Sequence, residues 1–227
     1  MMGLDIVDFH AHVLPCADHG SSSVSTSLSQ LSYAKGAGVK RIIATPHFYP
    51  HKHTLEKFLK RRNDAYEALK KEMPADAPKI KLGAEVLVCE GFENFQGIED
   101  LCIQGTKTLL LELPFSDFRS AYCDVASALI QRGFDIVLAH VDRYPEESID
   151  RMQDAGVSKF QLNAQSLAGI FKKKHLLKWV DEGLVIALGS DIHDADKSAY
   201  KKFTKAVKAL GTNAERIARE SDKIFGE

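Results

Sequence analysis

A chain of 227 residues with a formal net charge of −1 has the length of one larger α/β domain, spanning 1–227, and lacks the basic surplus that nucleic-acid binding uses. Its four cysteines, Cys16, Cys89, Cys102 and Cys123, contain no Cys-x-x-Cys pair and read as reduced thiols of a cytoplasmic protein. The N-terminus has no basic region, Asp5 and Asp8 interrupt its apolar run, and no stretch approaches the roughly 20 apolar residues that span a bilayer, so neither a signal peptide nor a membrane span is expected.

Leu4, Ile6, Val7 and Phe9 form an apolar run without helical spacing, which predicts a buried first strand. His10 and His12 stand two apart, a spacing that puts both on one face of a strand. His19 follows on the loop, before Gly20, where glycine permits a tight turn. Residues 21–29 are serine-rich and cap a helix that carries Leu28, Leu31 and Ala34 and ends near Gly36 or Gly38. Residues 40–44 make a second strand, which runs into Thr45-Pro46-His47, where proline stops sheet pairing. Residues 55–73 are an amphipathic helix, with Leu55, Phe58, Leu59, Ala65, Tyr66, Leu69 and Met73 on one face.

The third strand, 80–88, holds Gly83-Ala84-Glu85; 91–104 is irregular or short helix; the fourth strand is 106–113. A helix over 122–132, a strand over 136–140 and a helix over 146–155 follow. Then come a strand over 159–164, one helix over 165–182 and the seventh strand, 185–189, running into Ser190-Asp191-Ile192-His193. Helices over 198–210 and 214–225 close the chain. This alternation implies a parallel sheet with helices outside it. About seven βα units favour a barrel over a doubly wound sheet, and no Gly-x-Gly-x-x-Gly loop follows the first strand.

In a parallel barrel the C-terminal strand ends converge on one mouth. Candidate metal donors fall at that end of six strands: His10, His12 and His19; His47; Glu85; Glu112; His140; Asp191 and His193. Glu85 and Glu112 interrupt apolar runs, where a carboxylate is costly unless paired or metal-bound. Singly, each has a plain reading, a satisfied core histidine for His140 or a helix cap for Asp191 to His193; jointly they point to a metal site. His51 and His53 read as loop surface and His175 as helix surface.

The blocks Asp8-Phe9-His10-Ala11-His12, Ala44-Thr45-Pro46-His47, Gly83-Ala84-Glu85, Leu111-Glu112-Leu113-Pro114, His140-Val141-Asp142-Arg143-Tyr144-Pro145 and Ser190-Asp191-Ile192-His193 resemble the PHP (polymerase and histidinol phosphatase) superfamily. More narrowly they are similar to the bacterial metal-dependent protein-tyrosine phosphatases of capsule and exopolysaccharide biosynthesis. The resemblance implies a distorted (β/α)7 TIM-like barrel and three divalent metal ions, Mn first, with Fe or Zn as alternatives. By matching position it implies that His10, His12 and Asp191 hold one metal, bridged by Glu85 to a second that Glu112 and His140 complete. His19, His47 and His193 would hold the third. It further implies Arg143 and Glu112 as catalytic residues and Arg143 as the phosphate clamp. The chain departs from the family pattern at His19, where an aspartate is usual, and at Cys16, where a glycine is usual. Lys197 and Ser198 stand where a second arginine is usual, which makes Lys197 a candidate helper in substrate binding.

Three divalent ions against Glu85, Glu112 and Asp191 would leave a charge of about +3, suited to a phosphate monoester dianion, with metal-activated hydroxide as the nucleophile. No cysteine has an arginine six positions later and no Asp-x-Asp-x-Thr loop is present, so neither covalent phosphatase route is offered. The expected partner is a phosphotyrosine protein, a bacterial tyrosine kinase. The alternatives are a small-molecule phosphatase such as a histidinol-phosphate phosphatase and a non-catalytic metal-binding regulatory protein. Nuclease activity is disfavoured by the lack of basic or aromatic tracks.

Overall fold

The computed structural model describes residues 6–169 and 174–226. Leu4 of the expected first strand, Asp5 and residues 170–173 of the expected 165–182 helix lie outside the described residues. The chain runs β1 (Val7–Ala11), α1 (Val24–Gly36), β2 (Arg41–Ala44), β3 (His47–Phe48), α2 (Leu55–Lys70), β4 (Lys79–Leu82), β5 (Glu85–Leu87), β6 (Thr108–Glu112), α3 (Ala121–Gln131) and β7 (Asp135–Leu138). It continues through α4 (Glu146–Asp154), β8 (Lys159–Asn163), α5 (Ala164–Leu167), α6 (Lys174–Asp181), β9 (Val185–Gly189), α7 (Lys197–Leu210) and α8 (Asn213–Phe225).

All strand pairs are parallel, in the order β3-β5-β6-β7-β8-β9-β1-β2-β4. The two ends of that order belong to the same two stretches of chain. β2 breaks at Thr45-Pro46 and resumes as β3; β4 breaks at Gly83-Ala84 and resumes as β5. The ladder bridges the breaks, since Gly83 N donates to Ala44 O (2.9 Å) and Glu85 N to Pro46 O (3.1 Å). The sheet therefore curls into a distorted barrel with seven strand positions, two of them kinked. Pro46 ends β2, as a residue without an N–H should, but it does not end pairing along that edge.

Val7, Phe9, Ile43, Leu110, Val137 and Ala187 fill the barrel interior. Leu31, Phe58, Leu69, Leu129, Met152, Trp179 and Phe203 belong to the larger cluster between sheet and helices. The 165–182 helix is not continuous: α5 ends at Leu167 and α6 starts at Lys174.

Candidate metal centre

β1 places the first two histidines by an irregularity. Its register with β2 shifts between Asp8 and Ala11. Val7 and Phe9 lie in the inner cluster and Ala11 in the outer one. A bulge of this kind re-aims side chains, and His10 and His12 emerge together in the barrel mouth. Asp8 turns the other way and ties the strand down: it accepts from Ser190 N (2.8 Å) and from the Tyr200 hydroxyl on α7 (2.8 Å). Two glycines make room for the pair. A Cβ at Gly20 would stand 2.4 Å from His12 Cβ, and one at Gly189 2.5 Å from His10 Cβ. Gly20 is thus required by close approach rather than by an unusual backbone angle. His140 (φ 31°) and Asp191 (φ 52°) do adopt left-handed backbone, at the ends of β7 and β9. Each is held there by a hydrogen bond, His140 N to Gln161 Oε1 (2.7 Å) and Asp191 N to His10 O (2.8 Å). Strain of this kind, fixed by surroundings, aims both side chains into the mouth.

Four donor atoms form a compact group. His10 Nε2 is 3.1 Å from His12 Nε2, 3.2 Å from Glu85 Oε2 and 3.7 Å from Asp191 Oδ1. His12 Nε2 is 3.4 Å from Glu85 Oε2 and 3.5 Å from Asp191 Oδ1. Donors bound at about 2.0–2.2 Å around one ion lie roughly 3.3–3.6 Å apart in a tetrahedron, so these five edges fit a single divalent metal. The other oxygen of Glu85 turns to His140 Nε2 (2.7 Å), which is 3.5 Å from Glu112 Oε1. Glu85 therefore links the first group to a second. His47 Nε2 is 3.4 Å from His193 Nε2, and the exposed His19 ring stacks 4.5 Å from His47 and 4.8 Å from His193. Glu85 Oε2 and His47 Nδ1 are 2.8 Å apart, yet neither makes a hydrogen bond, and both are buried. Buried polar atoms left this way call for an explanation, and a bound cation supplies one. His/Glu groupings here have the spacing to hold metal ions: His10 with His12 and Glu85, His47 with Glu85 and Glu112, and His12 with His47 and His193.

The groups behind these donors set their tautomers. His12 Nδ1 lies 2.7 Å from Asp18 Oδ2, His10 Nδ1 3.1 Å from Gln161 Oε1, and His193 Nδ1 3.0 Å from Asp191 O. With Nδ1–H donating outward, each Nε2 lone pair is left for a metal. Burial alone would lower the pKa of His12, but Asp18, Asp191 and Glu85 raise it well above the ordinary value. Burial opposes charge on Asp18 too, yet His12 and the N–H groups of Gly20 and His47 hold its carboxyl well below the usual range. His140, despite burial, is raised to about 9 by Glu112 and Glu85. His193 falls to about 4 through burial and the charge of His12. Asp18→Asn is expected to weaken metal affinity by roughly 10- to 100-fold, because an amide cannot hold the Nδ1–H tautomer as strongly. Metal titration followed by elemental analysis checks this; unchanged affinity would remove Asp18 from the site.

The structure thus gathers His10, His12, His19, His47, Glu85, Glu112, His140, Asp191 and His193 at one mouth. Arg143 joins them: its guanidinium pairs with Asp191 Oδ2 and its side chain is 40% exposed. Lys197 does not. Its ammonium lies 6.0 Å from the Tyr33 ring centroid on α1. His51 is exposed, His53 Nδ1 accepts from Tyr49 N (3.2 Å), and His175 is half-buried, 2.7 Å from Glu146 Oε1. Sequence reasoning missed three supports: Asp18, Gln161 and Asn163, whose Nδ2 donates to Asp191 Oδ2 (2.9 Å). Gln161 interrupts the apolar run Phe160-Gln161-Leu162 on β8, which corresponds to the one expected strand of seven that supplied no donor, and that interruption was the available signal.

A curled parallel barrel with these His/Glu groups at its C-terminal mouth is a PHP-type barrel carrying a candidate metal centre. The chain belongs to the CpsB/CapC family of capsular polysaccharide synthesis, whose model matches residues 6–221. It is 29% identical over 201 residues to the tyrosine-protein phosphatase YwqE of Bacillus subtilis, covering 83% of this chain and 78% of that one. A solved structure from a description of YwqE of Bacillus subtilis and CpsB of Streptococcus pneumoniae as metal-dependent tyrosine phosphatases superposes with a TM-score of 0.78. It is 23% identical and covers 97% of this chain and 93% of its own, a likeness of fold.

Proposed function

We propose that this chain is a cytoplasmic protein-tyrosine phosphatase acting on a bacterial tyrosine kinase of capsule or exopolysaccharide biosynthesis. The observation that carries the chemistry is the group of four donor atoms from His10, His12, Glu85 and Asp191, with Arg143 at its edge. The extension to phosphotyrosine rests on family membership and on the name of the Bacillus subtilis relative. Among the described residues no helix is long and apolar enough to cross a membrane.

Three divalent ions on the nine donors, Mn foremost, would supply electrophilic charge to the phosphoryl oxygens and lower the pKa of water towards roughly 7. The chain's own residues do the rest. Glu85, contacting both donor groups, fixes their separation. Asp18, Gln161 and the Asp191 carbonyl hold three imidazoles in the donor tautomer. Arg143, planar and half-exposed at the rim, takes two phosphate oxygens in a fork. Glu112, 3.5 Å from His140 Nε2, would complete the second donor group with it. Lys197 sits over Tyr33, so phosphate recognition falls to Arg143.

The deciding experiment is a panel of phosphotyrosine peptides and small phosphomonoesters, histidinol phosphate included, with the purified Mn-loaded protein. Preference for phosphotyrosine peptide supports the reading; preference for histidinol phosphate replaces it with the small-molecule alternative. The thiols should be dispensable. Burial pushes Cys102 up to about 12 and also raises Cys89 and Cys123, the reverse of an activated nucleophile. Changing all four cysteines to serine is expected to leave most turnover intact, measured beside circular dichroism. A folded, inactive variant would refute a cysteine-independent route.

A further inference from the structure

Among the described residues one large hydrophobic side chain is exposed, Phe115, at 64%. A lone exposed phenylalanine means little by itself. This one stands just past Glu112, on the loop that leaves the metal mouth. Its ring stacks on the His140 imidazole (centroids 5.9 Å apart, planes at 20°) and lies 6.1 Å from the Tyr144 ring. The Arg143 guanidinium carbon is 5.7 Å from its centroid. The loop is anchored at its base, because the Tyr144 hydroxyl accepts from Leu113 N (3.0 Å) and donates to Leu113 O (3.1 Å). An aromatic face is thus held at the rim, between a metal-donor histidine and the proposed phosphate clamp, with much of its surface in water.

We propose that Phe115 is a specificity residue that stacks on the aryl group of an aryl phosphate monoester and so favours aryl over alkyl phosphates. The inference rests on the phosphatase reading and deepens it. In an aryl phosphate the ring is one bridging oxygen from phosphorus. A phosphate held between Arg143 and the donor cluster therefore leaves its aryl group beside a ring that touches both His140 and Arg143. Offset stacking covers apolar surface on both partners, and an alkyl phosphate offers no π face to share.

The test uses phenylphosphonate and methylphosphonate, which bind as phosphate esters do but cannot be hydrolysed at oxygen. Their affinities for Mn-loaded wild type, Phe115→Ala and Phe115→Tyr are measured by calorimetry, with metal content checked in each. Phe115→Ala should weaken phenylphosphonate by roughly five- to tenfold and leave methylphosphonate within about twofold; Phe115→Tyr should restore the difference. An equal loss for both ligands, or no loss for either, overturns the platform. In parallel, wild type is assayed on phosphotyrosine and phosphoserine peptides of one sequence. A wild type that ignores phosphotyrosine overturns the tyrosine-phosphatase reading, while the phosphonate comparison still decides on Phe115. Failure of wild type to bind either phosphonate overturns the platform alone, while the peptide assay still decides the phosphatase reading.

Discussion

Stripping divalent metal with a chelator is expected to abolish phosphomonoester hydrolysis and lower the Tm by roughly 10 °C, as a loss of about 3–4 kcal/mol would in a chain of this length. Glu85 is 1% exposed and meets His10, His12, His47 and His140 within 3.4 Å. A carboxylate so buried is tolerable only against positive charge. Metal supplies that charge; without it, protons on the imidazoles must. Scanning calorimetry with and without chelator, followed by re-addition of Mn, checks the result. An unchanged Tm would overturn a structural role for the cluster.

The size of that shift should depend on pH, in a direction that the metal-free protein fixes. The raised pKa of His140, about 9, means that its contribution is complete below roughly 6.5, the unfolded value, and is lost as pH rises through about 9. His12, also raised, acts the same way. Asp18 and Asp191, both held low, contribute above the ordinary carboxylate range and lose that contribution as pH falls below it. Metal uptake runs opposite to the histidine effect, because it must displace protons from His12 and His140 and so strengthens with pH. The gap in Tm between loaded and chelated protein should therefore widen from pH 6.5 to 9. A gap that narrows over that range would mean that protons and metal do not compete for these imidazoles.

Most of the donors were legible because they are polar residues in, or just past the end of, apolar runs, and a parallel barrel sends all such ends to one mouth; His19 was read from the loop instead. Glu85 and Glu112 stood out through the cost of their burial. What the sequence hid was local. The strands at 40–48 and 79–88 each break in two, since Pro46 and Gly83-Ala84 interrupt the ladder without ending it. The bulge in β1 leaves no compositional mark, although it decides where His10 points. The left-handed backbone of His140 and Asp191 is imposed by Gln161 and by the His10 carbonyl, contacts more than 20 residues distant in sequence that no local propensity encodes. Lys197 looked available by position, yet it lies against α1, because α7 begins on the side of the barrel that packs there.

Arg143→Ala is expected to cut kcat/KM on a phosphotyrosine peptide by on the order of 10²-fold, the loss of a charged clamp worth about 3 kcal/mol. The residue follows His140 by three positions, closing the one-turn helix Val141–Arg143, and that turn lifts it to the rim. Its guanidinium reaches two partners, the Asp191 carboxylate and the face of Phe115, so the fork is pre-aimed across the mouth. Metal content should not fall in the variant: arginine offers no lone pair to a metal, and removing a cation beside Asp191 can only favour cation binding. Arg143→Lys should recover part of the loss, since a point charge attracts phosphate without forming two parallel hydrogen bonds. The comparison with Phe115→Ala separates the two rim residues. Loss of the arginine should weaken phenylphosphonate and methylphosphonate alike, whereas loss of the ring should weaken only the first. Full activity of Arg143→Ala on phosphotyrosine peptide would show that the metal cluster binds the phosphate unaided, and that the pairing with Asp191 merely closes a surface turn.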